Sequence, residues 1–134
     1  MNIALIAHDK KKELMASFCI AYKGILEKHT LFTTETTGSI IIGACGLNIH
    51  KFSHGLLGVQ QIEARAAYDE LDLVIFLRDP ATEVSRYDEP DMASLLKQCD
   101  INTIPFATNI ASAELLITGL DRGDLDWRQN IKQS

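Results

Sequence analysis

The chain has 134 residues, a net charge of -5, and 46% hydrophobic against 23% charged residues, the balance of one ordinary globular domain with room for a core. The acidic balance leaves no broad basic face, which excludes nucleic acid as the main partner, and no apolar run reaches membrane-spanning length, which excludes a membrane partner. Cys19, Cys45 and Cys99 are scattered, without CxxC pairing or metal-ligand spacing, and read as reduced packing residues of a cytoplasmic protein whose N-terminus lacks a signal-peptide layout.

In chain order the pattern alternates strand and helix. Residues 2–6 form a buried strand. Asp9 caps a helix carrying Leu14, Phe18, Cys19, Tyr22, Ile25 and Leu26 at close to the 3.6 period, ending near Lys28-His29. Leu31 to Thr33 is a second strand, Gly38 to Cys45 a short helix closed by Gly46, and Leu47 to Phe52 a third strand. A helix over Gln60 to Tyr68 leads to the clearest buried strand, Leu71 to Leu77, which stops at Arg78-Asp79-Pro80. Ala81 to Asp88 is irregular, and Pro90 opens a helix with Met92, Leu95 and Leu96. Ile104 to Ala107 is the fifth strand, followed by a helix from Ala111 to about Thr118 with Gly119 as its stop, and then a polar tail containing Leu125, Trp127 and Ile131. Five strands with intervening helices predict one α/β domain over residues 1–134: a three-layer, doubly wound, mainly parallel sheet without repeats or linkers.

The polar residues of chemical interest fall where such strands end: His8-Asp9, Thr34 to Thr37, Ser53-His54, Asp79 and Thr108-Asn109. Ligands of open parallel sheets bind outside the carboxyl ends of the strands, so these residues define one candidate site. The hydroxyls, Lys12 and the helix-start N–H groups suit a small phosphorylated molecule. Lys10-Lys11-Lys12 taken alone reads as a solvated helix start rather than a site, and the threonines have the alternative reading of a capping turn. GxGxxG and GxxxxGK[ST] are both missing, so neither a dinucleotide nor a P-loop phosphate site is supported. Glu35, within the threonine loop, repels a bound phosphate dianion unless it points away or holds a cation. Asp79, at the rim of the sheet, is placed to act as a base, to orient a histidine or to cap the following turn.

These residues, in this order, resemble the methylglyoxal synthase family over nearly the whole chain. The likeness runs through Ile-Ala-Leu-Ile-Ala-His-Asp-Lys-Lys-Lys at 3–12, Thr-Thr-Gly at 36–38 and Asp-Leu-Val-Ile-Phe-Leu-Arg-Asp-Pro at 72–80. It continues through Ile-Pro-Phe-Ala-Thr-Asn-Ile-Ala-Ser-Ala-Glu at 104–114 and Arg-Gly-Asp-Leu-Asp-Trp-Arg at 122–128. The resemblance implies a homohexamer that eliminates phosphate from dihydroxyacetone phosphate without metal or organic cofactor. Carried over by position, it implies His8 as the group polarising the carbonyl and Asp9 as its supporting carboxylate. Lys12, Thr34, Thr36, Thr37 and Ser53 match phosphate ligands, Asp79 and Asp91 further active-site aspartates, and Arg128 an arginine that reaches a neighbour's phosphate site.

The departures fall in the loops. The family's Ser-Gly-Pro-Leu-Gly-Gly-Asp-Gln-Gln stands here as Ser53-His54-Gly55-Leu56-Leu57-Gly58-Val59-Gln60-Gln61, with Val59 at the place of the proton-abstracting aspartate and His54 at that of a glycine. Thr-Gly-Thr-Thr-Gly has become Thr34-Glu35-Thr36-Thr37-Gly38, and Pro-His-Glu-Pro-Asp has become Tyr87-Asp88-Glu89-Pro90-Asp91. Three readings follow: a lyase of this type with turnover impaired by the missing base; a non-catalytic protein binding a phosphorylated metabolite or inorganic phosphate, as the same domain type does in the effector-binding part of carbamoyl phosphate synthetases; or an altered enzyme acting on another phosphorylated or carboxylated carbonyl compound. Another carboxylate, Asp79 first, is the candidate substitute base.

Overall fold

The apolar run at the start of the chain forms the central strand. The computed structural model describes residues 1–81 and 92–133. In it, β1 (Asn2–Ala7) is followed by a 3-10 turn (Asp9–Lys11), α1 (Lys12–Ala21), α2 (Lys23–Leu26), β2 (Thr30–Thr33), α3 (Glu35–Cys45), β3 (Ile49–Lys51), α4 (Gly55–Ala67) and β4 (Leu73–Leu77). Then come α5 (Ala93–Ile101), β5 (Phe106–Ala107), α6 (Ile110–Asp121) and α7 (Trp127–Gln133). The strands lie in the order β3-β2-β1-β4-β5, and each neighbouring pair is parallel. The chain winds outward from β1 to β3, then recrosses to lay β4 against the other side of β1. The topological switch therefore lies between β1 and β4.

Side-chain alternation divides the core into two layers. Ile3, Leu5, Leu73 and Ile75 pack against Met15 and Phe18 of α1, Ile41 of α3 and Ile117 of α6. Ala4, Ile6, Phe32, Val74 and Phe76 pack against Val59 and Ile62 of α4 and Leu95 of α5. Strands covered on both faces need apolar residues at every position, which is why β1 and β4 read as unbroken apolar runs. Fully burying one large aliphatic side chain stabilises the fold by about 1.5–3 kcal/mol, so these two strands dominate the core. Among the described residues, no helix is long and apolar enough to cross a membrane.

The element boundaries differ from expectation where packing overrides local pattern. Asp9 does not cap α1; it sits in the 3-10 turn, whose N-cap is His8 with no capping hydrogen bond from its side chain, and pairs with Lys12, while Lys11 takes the N-cap of α1. The first helix breaks at Tyr22, whose ring lies 5.0 Å from that of Phe18, before the short α2. α3 begins at Glu35 rather than Gly38, with Thr34 extended at its N-cap, so the threonine turn is itself the first helical turn; a carboxylate there favours the positive end of the helix dipole. Gly46 closes it in the left-handed conformation, φ 70°. α4 begins at Gly55 rather than Gln60, which brings Val59 into its buried face. α6 runs through Gly119, which is buried, to Asp121. Asp88 and Pro90 lie outside the described residues.

Arg128 closes the end of the domain opposite the candidate site. It is 3% exposed and uses its whole donor fork: to Asp72 Oδ1 (2.9 Å) and the Leu71 carbonyl, to Asp69 Oδ1 (3.1 Å) and the Asn102 carbonyl, and from Nε to the Thr103 carbonyl (3.0 Å). Asp69 and Thr103 are the non-glycine residues with positive φ among those described, at 53° and 50°. One guanidinium thus holds both left-handed turns, the first after α4 and the second after α5. Asp72 in turn accepts the Asn2 amide at 2.8 Å, tying this cluster to β1.

Two outcomes follow from this packing. Arg128→Met leaves Asp72 buried without its cation and should cost about 3–5 kcal/mol in urea unfolding, whereas exposed ion-pair variants such as Arg122→Ala should change stability by at most about 1 kcal/mol. Burial pushes the Cys19 and Cys99 thiols up to about 12 from an ordinary value of 9.0. As pH rises above that ordinary value the unfolded chain loses these protons first, so stability should be unaffected below it and fall between it and 12. A Cys19→Ala/Cys99→Ala variant should show a shallower alkaline decline of its urea midpoint.

Candidate active site

The site is built where β1 and β4 end side by side. Ala7 pairs in register with Leu77, and the His8 amide continues the ladder to the Leu77 carbonyl at 3.1 Å. One residue on, the Asp79 amide donates to His8 Nδ1 at 2.9 Å in a buried contact. A main-chain amide can only donate, so Nδ1 accepts, and the ring proton of this neutral imidazole is on Nε2. The ring is further held edge-on against Phe76, with centroids 5.2 Å apart and planes at 79°. His8 is therefore a fixed Nε2–H donor, 5% exposed, at the topological switch.

Asp79 is 8% exposed, and its Oδ1 accepts the Ala81 amide at 3.0 Å, so the carboxylate caps the turn after β4 while its amide orients His8. On the other side of β1, the end of β2 supplies hydroxyls. Thr34 and Thr37 are buried, with their Oγ1 atoms 3.4 Å apart, whereas Thr36 is exposed on the outside of the same turn. Glu35 is also exposed; it lines an open groove of about 350 Å³ with Lys51, Phe52, Ser53 and Gln61. It thus shares the β3 side of the site with Ser53. Lys12 sits mostly buried at the start of α1, paired with the exposed Asp9.

The end of β3 is pressed onto this cradle by Gly58. A Cβ at that position would lie 1.9 Å from the Ser53 carbonyl oxygen and 2.8 Å from Thr34 Cγ2, so only glycine lets α4 approach so closely. Gln61, one turn along, accepts the Ser53 amide at 2.8 Å. Neither residue was singled out from the sequence as a site residue; their i, i+3 spacing on one helix face was the available signal. His54 is the exposed N-cap of α4. Val59 is 1% exposed within the apolar layer formed by Ile6, Phe32 and Phe76.

His8, Asp79, Thr34, Thr37 and Ser53 are thus brought to one edge, with Asp9 and Lys12 beside them. Arg128 is not among them: it is committed to the cluster at the opposite end of β4, and its donors are consumed there. Asp91 lies outside the described residues. A cavity of about 360 Å³ lined by His29, Asn48 and His50 lies at the start of β2 and contains none of these residues. Among the described residues, no group of three or more His, Cys, Asp or Glu side chains gathers to hold a metal.

A fixed imidazole donor beside a hydroxyl cradle, at the switch point of a parallel sheet, defines an α/β fold with a polar cluster at the carboxyl edge of its strands, where ligands of such sheets bind. No family model matches the chain. It is 62% identical over 132 residues to methylglyoxal synthase of Caldicellulosiruptor saccharolyticus, covering 98% of this chain and 92% of that protein. It is 57% identical over 129 residues to the enzyme of the same name from Listeria welshimeri, covering 96% of this chain and 95% of that one. The crystal structure of methylglyoxal synthase from Elizabethkingia anophelis superposes with a TM-score of 0.80 at 32% identity, over 87% of this chain and 76% of the other. The chain belongs to the methylglyoxal synthase family.

The close approach at Gly58 has a measurable consequence. Gly58→Ala should lower stability in urea unfolding by about 1–3 kcal/mol, because backbone rather than a flexible side chain must give way. Gly43→Ala, in α3 with nothing within 4 Å of the added carbon, should be neutral or stabilise by up to about 1 kcal/mol.

Proposed function

We propose that the chain acts on dihydroxyacetone phosphate as a methylglyoxal synthase-type lyase whose proton-abstraction step is weakened by Val59. The observation that carries the reading is the Asp79 amide donating to His8 Nδ1. It makes Nε2–H a preorganised donor for a carbonyl oxygen that becomes an oxyanion, and removing such a donor typically costs about 10²–10³-fold in rate. In this reading Thr34, Thr37, Ser53 and Lys12 hold the phosphate. A base removes a proton from the carbon beside the carbonyl, and the electron pair moves to the oxygen facing His8. The resulting enediolate expels inorganic phosphate by C–O cleavage, and the enol left behind becomes methylglyoxal.

The base is the weak element. An isopropyl group accepts no proton, and Val59 is packed among apolar neighbours. Asp79 is the carboxylate that serves as the residual base here, with one oxygen already engaged by the Ala81 amide. A positioned base contributes about 10²–10⁴-fold, and turnover is lowered by that order. The buried valine also favours the second reading, a protein that binds the phosphorylated ligand without transforming it.

Turnover of dihydroxyacetone phosphate by the wild type, Val59→Asp and Val59→Asn separates these. The aspartate variant should exceed the wild type by about 10²–10⁴-fold while the asparagine variant stays at the wild-type level, with circular dichroism confirming that each is folded. Asp79→Asn should abolish the residual wild-type rate. Equal rates for wild type and Val59→Asp would overturn the weakened-base reading, and binding without turnover in every folded variant would leave the second.

A further inference from the structure

Arg78 stands apart from the other described arginines. Arg65 pairs with Glu70 and lies over the rings of Phe32 and Phe52, Arg122 pairs with Asp124, and Arg128 is buried in its cluster. The exposed Arg78 guanidinium makes no ion pair or hydrogen bond among the described residues. Its main chain is nevertheless fixed: the amide donates to the Thr108 carbonyl at 3.0 Å, extending the ladder between β4 and β5 past the end of β4.

The strand register places this free cation. Ala7 pairs with Leu77, so His8 and Arg78 are the next residues level with each other on adjacent parallel strands. Alternation puts Arg78 on the face of Val74 and Phe76, the same face as Ile6 and the His8 ring that abuts Phe76. Thr34 shares that face as well, since its Cγ2 lies 2.8 Å from where a Cβ on Gly58 of α4 would stand. Across three neighbouring strand ends, roughly 10 Å at the spacing of a sheet, the order is hydroxyl cradle, imidazole donor, guanidinium. Glu35 adds a negative charge beyond the cradle on the β3 side, which leaves Arg78 as the cation on the far flank of His8.

We propose that Arg78 is a specificity-determining residue that favours ligands carrying a second anionic group, a carboxylate, at the end remote from the phosphate. This rests on the reading of the Thr34–Thr37 cradle as the phosphate end. A guanidinium forks onto a carboxylate with two parallel hydrogen bonds, while the hydroxymethyl end of dihydroxyacetone phosphate offers it a single neutral oxygen.

The test is calorimetric titration of the full chain with inorganic phosphate, dihydroxyacetone phosphate and 3-phosphoglycerate, the last two of matching length. The wild type should bind 3-phosphoglycerate about tenfold more tightly than dihydroxyacetone phosphate, of the order expected for a charge-assisted pair. Arg78→Met, at an exposed position, should abolish that preference and leave inorganic phosphate affinity within about twofold of wild type; Arg78→Lys should keep part of the preference. A wild type without the preference, a preference that survives in Arg78→Met, or failure to bind any of the three probes would overturn the proposal. Turnover is read separately: a preference that follows Arg78 in a protein that does not convert dihydroxyacetone phosphate would uphold this inference and reject the lyase.

Discussion

The site depends on one hydrogen bond across the switch in strand order, from the Asp79 amide to His8 Nδ1. It exists because β4 lies against β1 in parallel register, with Ala7 opposite Leu77. A slip of one residue would turn every side chain of β4 to the other face and carry the amide out of reach. The two apolar layers that hold the register therefore also hold the histidine in one tautomer. Structure and chemistry meet here: the protein supplies a main-chain dipole, and the imidazole relays it to its opposite nitrogen.

The opposite end of the same two strands is fixed by Arg128. Its partner Asp72 receives the Asn2 amide at the start of β1 and immediately precedes β4. The two left-handed turns at Asp69 and Thr103, which return the chain from α4 and α5, rest on the same guanidinium. Removing a charge from such a cluster strands the remaining one in a poorly solvated place. The arginine that resembles a neighbour's phosphate ligand in sequence is, in this chain, a clamp on the base of the sheet.

Between these ends, the departures from the family pattern have separate physical effects. Val59 completes an apolar layer with Ile6, Phe32 and Phe76, and its side chain offers no hydrogen-bond acceptor. Glu35 occupies the first turn of α3, where the helix dipole favours a carboxylate, and is turned outward to the groove beside Lys51. Gly58 and Gln61 keep Ser53 against the threonine cradle despite the change at Val59 between them. The hydroxyl cradle at the strand ends keeps its shape around an isopropyl side chain at position 59.

The sequence by itself determined the layered α/β architecture, because buried parallel strands demand unbroken apolar runs and 3–7 and 73–77 are such runs. It also determined that polar chemistry gathers at the strand ends, from His8 to Asp79. Helix starts were not legible: Thr34 to Thr37 and Gly55 to Val59 carry loop-like composition, and only packing against the sheet made them helical. Tertiary structure alone decided that Arg128 is a clamp, that Glu35 shares a groove with Lys51 and Ser53, and that His8 and Arg78 stand level. Those facts arise from contacts between residues tens of positions apart, and local periodicity carries no information about which distant donor will meet which acceptor.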